Sequence, residues 1–455
     1  MHRIFTGNWK LKMKALLNTE FKCLYCGRVH KIDIKEIIFG KIEQINEFIK
    51  KFFLIDSKIS ILCDNITWEV AGKKINNILD DFERVPLILK NKGEKRIIAK
   101  YEYFEKIEEN IKDKNINLLL TVGTGSITDL GKLVGNRYQI PVMSFPTAPS
   151  MNGYTSPVSA YIKDGVKITV PVSPCKYIYV DDEIISNAPI ELIKAGFADS
   201  LAKSFANADW KISSIILEEK FCQLPYQIVS KAEREYIDKG DLILKRDKEF
   251  IHNLMETLNL GGISMIIAGS SAPASGGEHL ISHFLDMYAY QNNMEPFAYH
   301  GLQVGIGVYF CSLVYEKLKE LNDLEISKKL NQKYIDYNEK EKVLTSLFNS
   351  SKELLKEIFK KKVNNVRKMK EKLVERWDDI KKTAFTMIYT PNEIKNFLNK
   401  GNCPTHLNEI VLDDALIHKI LTLSRFIRDR ITILDIADEI GLLDEIVKGY
   451  IKGNL

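Results

Sequence analysis

The sequence predicts an α/β fold, with a parallel sheet covered on both faces in its N-terminal part and an all-helical C-terminal part. Three observations carry that expectation. Short apolar runs alternate with helical patterns from about residue 42 to residue 145, the rhythm of a sheet with helices on each side. One of those runs, Ile116 to Gly123, opens directly into a glycine-rich turn before a helical pattern. From Ser186 onward the strand pattern stops and helical periodicity continues to Leu455. The chain is therefore divided into a leader (residues 1–40), a sheet domain (41–186) and a helical domain (187–455).

The leader is expected to be strand-poor, and its one chemical feature is Cys23-Leu-Tyr-Cys26-Gly-Arg-Val-His30. A CxxC followed by glycine is half of a zinc knuckle, and His30 offers a third ligand. A closed site at Cys23 and Cys26 would need a distant or intermolecular donor, because no second CxxC stands nearby. The other five cysteines, Cys63, Cys175, Cys222, Cys311 and Cys403, are scattered among apolar residues and read as buried thiols.

After the leader come a helix (Ile42 to Lys51), a strand (Ser57 to Asp64), a helix (Trp68 to Asp80), a strand (Val85 to Lys90), a helix (Tyr103 to Asp113) and the strand ending at Gly123. The turn that follows is Gly123-Thr-Gly125-Ser126-Ile-Thr-Asp129-Leu-Gly-Lys132. Glycines at the carboxyl end of a strand let a pyrophosphate approach the backbone, and the helix start supplies N–H donors and a positive dipole end. The spacing is neither that of a P-loop nor GxGxxG, since Thr128 stands where the third glycine would be. Asp64, closing an earlier strand, is placed to accept ribose hydroxyls and to repel a 2′-phosphate, which favours NAD over NADP; a turn-forming aspartate is the alternative.

Next, a short strand (Pro141 to Phe145) leads into Pro146-Thr147-Ala-Pro-Ser150-Met-Asn152-Gly-Tyr-Thr-Ser156, a loop whose hydroxyls suit ribose, phosphate or substrate. Val158 to Val170 reads as a hairpin turned at Asp164-Gly165.

Chemistry in the helical part centres on Ser275-Gly-Gly-Glu278-His279-Leu-Ile-Ser-His283 and Tyr299-His300-Gly301. Ser275 reads as the helix cap. His279 and His283 lie one turn apart on one face, while Glu278 is rotated away by about a quarter turn. Imidazoles presented this way suit a borderline divalent metal. Asp199, among small residues in Ala195-Gly-Phe-Ala-Asp199-Ser-Leu-Ala-Lys203, is the candidate carboxylate, with a surface pair to Lys203 as the plainer reading.

A net charge of +5 on 455 residues gives little reason to expect nucleic acid. The lysine-rich stretch from Lys352 to Lys382 reads as a solvated helix with one packed stripe. No apolar run approaches a membrane span, and no export signal is visible, so a cytoplasmic protein is expected.

The succession Gly-Thr-Gly-Ser-x-x-Asp-x-x-Lys, Pro-Thr-Ala-Pro-Ser, Gly-Phe-Ala-Asp-x-x-Ala-Lys, Gly-Gly-Glu-His-x-x-x-His and His-Gly-x-Gln-Val-Gly resembles glycerol-1-phosphate dehydrogenases, within the iron-containing alcohol dehydrogenase and dehydroquinate synthase superfamily. The resemblance runs from about residue 36 to residue 445. It implies a Rossmann-like domain facing a helical metal and substrate domain, with the active site in the cleft between them. It implies NAD(P)H-dependent, metal-assisted reduction of dihydroxyacetone phosphate to sn-glycerol 1-phosphate, feeding glycerophospholipid synthesis. One divalent ion (zinc, nickel or iron) is implied at Asp199, His279 and His300. His283, taken to titrate near neutrality, is expected to relay a proton, with Lys203 and Asn152 as further catalytic residues. Cofactor contacts fall to Asp64, Gly123, Gly125, Ser126, Asp129, Thr147, Ser150 and Ser156. A homo-oligomer, a dimer, goes with this reading. Asn152-Gly153 departs from the family's usual Asp-Gly and loses a charge while keeping the shape. A polyol dehydrogenase, a synthase using NAD catalytically and a decayed metal-binding homologue are the alternatives.

Overall fold

The computed structural model describes residues 14–91 and 96–454. A six-stranded sheet has the order β3 (Glu36–Phe39), β10 (Tyr177–Val180), β7 (Val142–Pro146), β6 (Leu118–Gly123), β4 (Lys58–Asp64), β5 (Glu83–Leu89). Every pairing in it is parallel. Both faces are covered, so β6 is buried at every residue and reads as an unbroken apolar run. Side chains alternate between two cores: Ile59, Ile61 and Cys63 face one, while Leu62 faces the other.

Strand order fixes where a ligand can sit. From β4 the chain moves outward to β5, then returns to β6 and proceeds the other way through β7. The direction of winding therefore reverses between β4 and β6, and a crevice opens beyond their carboxyl ends, at Asp64 and Gly123. Beside it stands the hairpin of β8 (Val158–Lys163) and β9 (Val166–Pro171), turned through Asp164 at φ 50° and Gly165 at φ 80°.

Three features differ from expectation. The leader is not strand-poor: β1 (Thr19–Lys22) and β2 (Val29–Ile32) form an antiparallel hairpin, and β3 is an edge strand of the main sheet. Four-residue strands are too short to show a clear alternation. The helix expected over Trp68 to Asp80 contains a π-helical stretch, Trp68–Gly72. Ser275 does not cap the helix Gly277–Gln291; Gly276 occupies that position, and the Gly277 N–H donates to Asp209 Oδ2 at 2.8 Å.

Beyond Val180 the described residues are helical, and none of these helices is long and apolar enough to cross a membrane. The helix Lys352–Thr383 buries Leu355, Phe359, Val363, Val366, Met369, Leu373, Trp377 and Ile380, one stripe at helical spacing.

Candidate active site

A cavity of about 1110 Å³ runs from the crevice at β4 and β6 to the helical histidines, lined at one end by Asp64, Gly125 and Ser126 and at the other by His279, His283 and His300. Two close approaches build the metal-side end. Gly196 lies against the Pro149 carbonyl, so near that an added Cβ would sit 1.7 Å from its oxygen. Gly301 lies in the same way against the Ala195 carbonyl, at 1.9 Å. The helix Ile190–Ser200 is thus clamped between the loop after β7 and the helix His300–Lys319, which carries Asp199 towards His300.

Asp199, His279 and His300 each offer a ligand atom within 4.8 Å of the others. Asp199 Oδ1 lies 3.3 Å from His279 Nε2. Both imidazoles are oriented through Nδ1: Glu278 Oε1 lies 2.8 Å from His279 Nδ1, and Ser282 Oγ lies 2.8 Å from His300 Nδ1. A carboxylate on Nδ1 places the proton there and leaves the Nε2 lone pair for a metal. Burial alone would raise the Asp199 carboxyl, but Lys203, at 3.1 Å from Oδ2, and His279 hold it well below the usual carboxylate range. His300 is pushed down to about 4 by burial and by the Lys167 charge. A carboxylate oxygen and two ring nitrogens form a donor set that fits a borderline divalent ion.

His283 stacks on His300 with centroids 5.6 Å apart, and its buried Nδ1 has no partner among the described residues. Burial, together with Lys167 and His300, holds it well below its ordinary value, so titration near neutrality does not hold for this ring. Lys203 and Asn152 both abut Gly261, on the same face of the helix Lys248–Ala268. The Asn152 Nδ2 is buried and unpartnered among the described residues.

At the sheet end, the helix Gly125–Tyr138 starts with Thr124 as its N-cap and no side-chain capping bond, so Gly125 and Ser126 face the cavity at an open helix start. Gly123 ends β6, and its carbonyl accepts from Thr147 N at 3.1 Å. Thr147 and Ser150 line the cavity. Asp129 and Ser156 also reach it, and each has a polar atom engaged by Lys132. Asp129 pairs with buried Lys132 at 2.9 Å, and Lys132 also donates to the Ser156 hydroxyl at 2.9 Å and the Gly153 carbonyl at 2.8 Å. Through Lys132, Asp129 is thereby linked to the 153–158 loop. Asp64 uses Oδ1 to cap a helical turn, accepting from Ile66 N and Thr67 N at 2.9 and 2.7 Å, which leaves Oδ2 for the cavity.

Residue patterns missed several groups. Glu278 is not turned away from the site; its carboxylate folds back between Gly276 N and His279 Nδ1. Lys167 and Asp286, paired at 2.6 Å, line the cavity beside His300. Asp286 stands seven residues after His279, on the same helical face, a spacing that could have exposed it.

The chain matches the family model "Iron-containing alcohol dehydrogenase" over residues 36–189. A glycerol-1-phosphate dehydrogenase [NAD(P)+] from Bacillus licheniformis is 32% identical over 298 residues, covering 64% of this chain and 73% of the relative. This chain belongs to the glycerol-1-phosphate dehydrogenase family. The enzyme of the same name from Thermococcus sibiricus is 33% identical over 297 residues, 63% of this chain and 80% of its own length. The fold is shared more widely: glycerol dehydrogenase from Schizosaccharomyces pombe superposes with a TM-score of 0.58 at 15% identity, covering 96% of this chain and 94% of that one. An archaeal alcohol dehydrogenase from a Red Sea brine pool gives 0.60 at 13% identity, covering 90% and 97%.

Proposed function

We infer that this member of the family is an NAD(P)-dependent oxidoreductase that interconverts dihydroxyacetone phosphate and sn-glycerol 1-phosphate, supplying a backbone for glycerophospholipids. The supporting observation is one continuous cavity that joins an open helix start at Gly125-Ser126 to the Asp199, His279 and His300 donor set. A division near residue 186 into dinucleotide-binding and metal/substrate portions goes with this reading.

Bound in this cleft, a divalent ion supplies Lewis-acid polarisation of the ketone oxygen and the reduced dinucleotide supplies hydride. Lys203 keeps Asp199 ionised, and Glu278 and Ser282 fix the two imidazoles so that their Nε2 atoms converge. His283, neutral and unpartnered at Nδ1, would relay a proton towards the reacting oxygen by taking one from solvent at one ring nitrogen as it releases one from the other, and so stays uncharged beside the ligands. Lys167 is a cation facing the cavity next to Asp286 and suits the phosphate of the substrate. The Asp64 Oδ2 suits a ribose diol and repels a 2′-phosphate, which supports NAD over NADP. Nitrogen and carboxylate oxygen ligands admit zinc, nickel or iron. Seven free cysteines suit a reducing compartment, and a cytoplasmic homodimer completes the reading.

The test is NADH and NADPH oxidation with dihydroxyacetone phosphate after loading each metal. Turnover should need the phosphate; equal rates with unphosphorylated dihydroxyacetone would replace this reading with a polyol dehydrogenase.

A further inference from the structure

The leader motif finds its missing donor in the helical region. The β1–β2 hairpin turns through Cys23-Leu-Tyr-Cys26-Gly27, where the Gly27 N–H donates to the Cys23 carbonyl at 2.9 Å and the Cys23 N–H to the Arg28 carbonyl at 2.8 Å. Gly27 has φ +70°, a conformation that glycine adopts freely. His30 follows on the buried face of β2. Opposite this knuckle, Cys222 stands just before the helix Leu224–Glu233. All four residues offer ligand atoms within 4.8 Å of one another.

We propose that Cys23, Cys26, His30 and Cys222 form a structural zinc site that clips the N-terminal hairpin onto the helical region. Three of the six ligand-atom separations lie near the edges of a tetrahedral zinc site. With Zn–S near 2.3 Å and Zn–N near 2.0 Å, tetrahedral edges come to roughly 3.8 Å for S···S and 3.5 Å for S···N. The observed separations are 3.6 Å for Cys23–Cys222, 3.2 Å for Cys26–His30 and 3.8 Å for Cys222–His30. Bonded sulfurs would stand about 2.05 Å apart, so no disulfide occupies this place. Three thiolates and one imidazole leave no open position, the mark of a structural and not a catalytic site. Thiolate sulfur selects zinc over the hard cations.

Charge points the same way. Binding Zn²⁺ expels three thiol protons to solvent and leaves the centre with net charge −1. The Arg28 guanidinium hydrogen-bonds the Cys26 side chain, a cation beside the thiol ligands, and its buried Nη2 has no hydrogen-bond partner among the described residues.

Two segments far apart in the chain are thereby joined, in addition to the burial of Leu16, Ile32 and Ile34 in the main core. A hairpin of two four-residue strands is marginal on its own. The link between Cys23 and Cys222 spans 199 positions of chain and ties down the segment that runs on into edge strand β3. It also braces the helix Lys248–Ala268, which packs on β2. Midway along, this helix meets the substrate loop, where Thr155 Oγ1 donates to the Asn259 carbonyl at 2.7 Å. The hairpin precedes residue 36, where the family match begins.

The test uses the full chain purified without chelator. Elemental analysis of Asp199→Ala should find one zinc retained per chain, and Cys222→Ser should lose that zinc while keeping the ion bound elsewhere. Cobalt exchanged into Asp199→Ala should show thiolate-to-metal charge-transfer absorption in the near ultraviolet, which a site of carboxylate and imidazoles cannot give. Cys222→Ser should lower the unfolding midpoint by roughly 10 °C. If that variant does not fold, titrating the wild type with a mercurial should release one zinc as three thiols react. Wild-type protein with no thiolate-bound metal, or with Cys23 and Cys222 joined by a disulfide, would overturn the proposal. Because the absorption depends only on sulfur ligands, failure of the Asp199, His279 and His300 assignment would leave this result readable.

Discussion

Glu278 is the residue through which the account of the metal site can be tested without touching a ligand. Its Oε1 lies 2.8 Å from His279 Nδ1 and 2.7 Å from Gly276 N, and the side chain is fully buried. In Glu278→Gln the amide oxygen can still accept from both donors, so the ring stays oriented while the carboxylate charge that strengthens it as a ligand is gone. Losing such a partner costs about 10- to 100-fold in metal affinity, or roughly 1.4 to 2.7 kcal/mol. Stability should not fall in parallel. Asp209 approaches Glu278 near Gly276, and burial together with the Glu278 charge pushes its carboxyl up to about 7. Removing one charge relieves that repulsion. The assay is a chelator-competition titration of the active-site ion beside thermal unfolding of the apo protein. Metal affinity within about two-fold of wild type would refute the argument that Glu278 tunes His279, since the expected loss is at least ten-fold.

Asn152→Asp should change turnover with dihydroxyacetone phosphate by less than about ten-fold, or 1.4 kcal/mol, because Lys203 already has a carboxylate partner in Asp199; kcat and KM with phosphorylated and unphosphorylated ketones decide it. Gly125→Val should weaken NADH binding far more than it lowers stability, because the three atoms nearest its Cβ all belong to the flexible Met151 side chain, at 2.7 Å, beside an open helix start; NADH titration and thermal unfolding measure the two effects. Glu233 gives a pH signature. Burial pushes its carboxyl up to about 8 against an ordinary 4.5, and neither oxygen has a partner among the described residues. The fold favours the protonated form, so stability is full below pH 4.5 and is lost as pH rises towards 8. Glu233→Gln should remove that decline and unfold at a higher temperature than wild type at pH 8.5.

Much of the fold was legible because burial on both faces writes a strand as a continuous apolar run: β4 and β6 show it, and glycines mark the end of β6. The Asp164-Gly165 turn was legible for a similar reason, since few residues accept positive φ. β3 was not, because four residues joining a sheet edge across 141 positions of chain leave no local signal. The site divides in the same way. Asp199, His279 and His300 stand in motifs whose residue types suit a metal, whereas Cys222 resembles any buried thiol until folding brings it to His30, 192 positions away. Asp129 and Ser156 show the converse. Their residue types suit a cofactor, and only the fold shows that Lys132 also binds a polar atom of each. Glu278 was misplaced because helical rotation gives the direction of Cβ, while a long side chain can fold back on its own turn.

The central claim is that Asp199, His279 and His300 together hold the ion on which turnover depends. Metal content and NADH oxidation with dihydroxyacetone phosphate, measured on Asp199→Ala, His279→Ala and His300→Ala, test it most directly. The account predicts that each variant loses the active-site ion and turnover together, since each removes one of three protein ligands. Full occupancy with a normal rate in any one of them would contradict it.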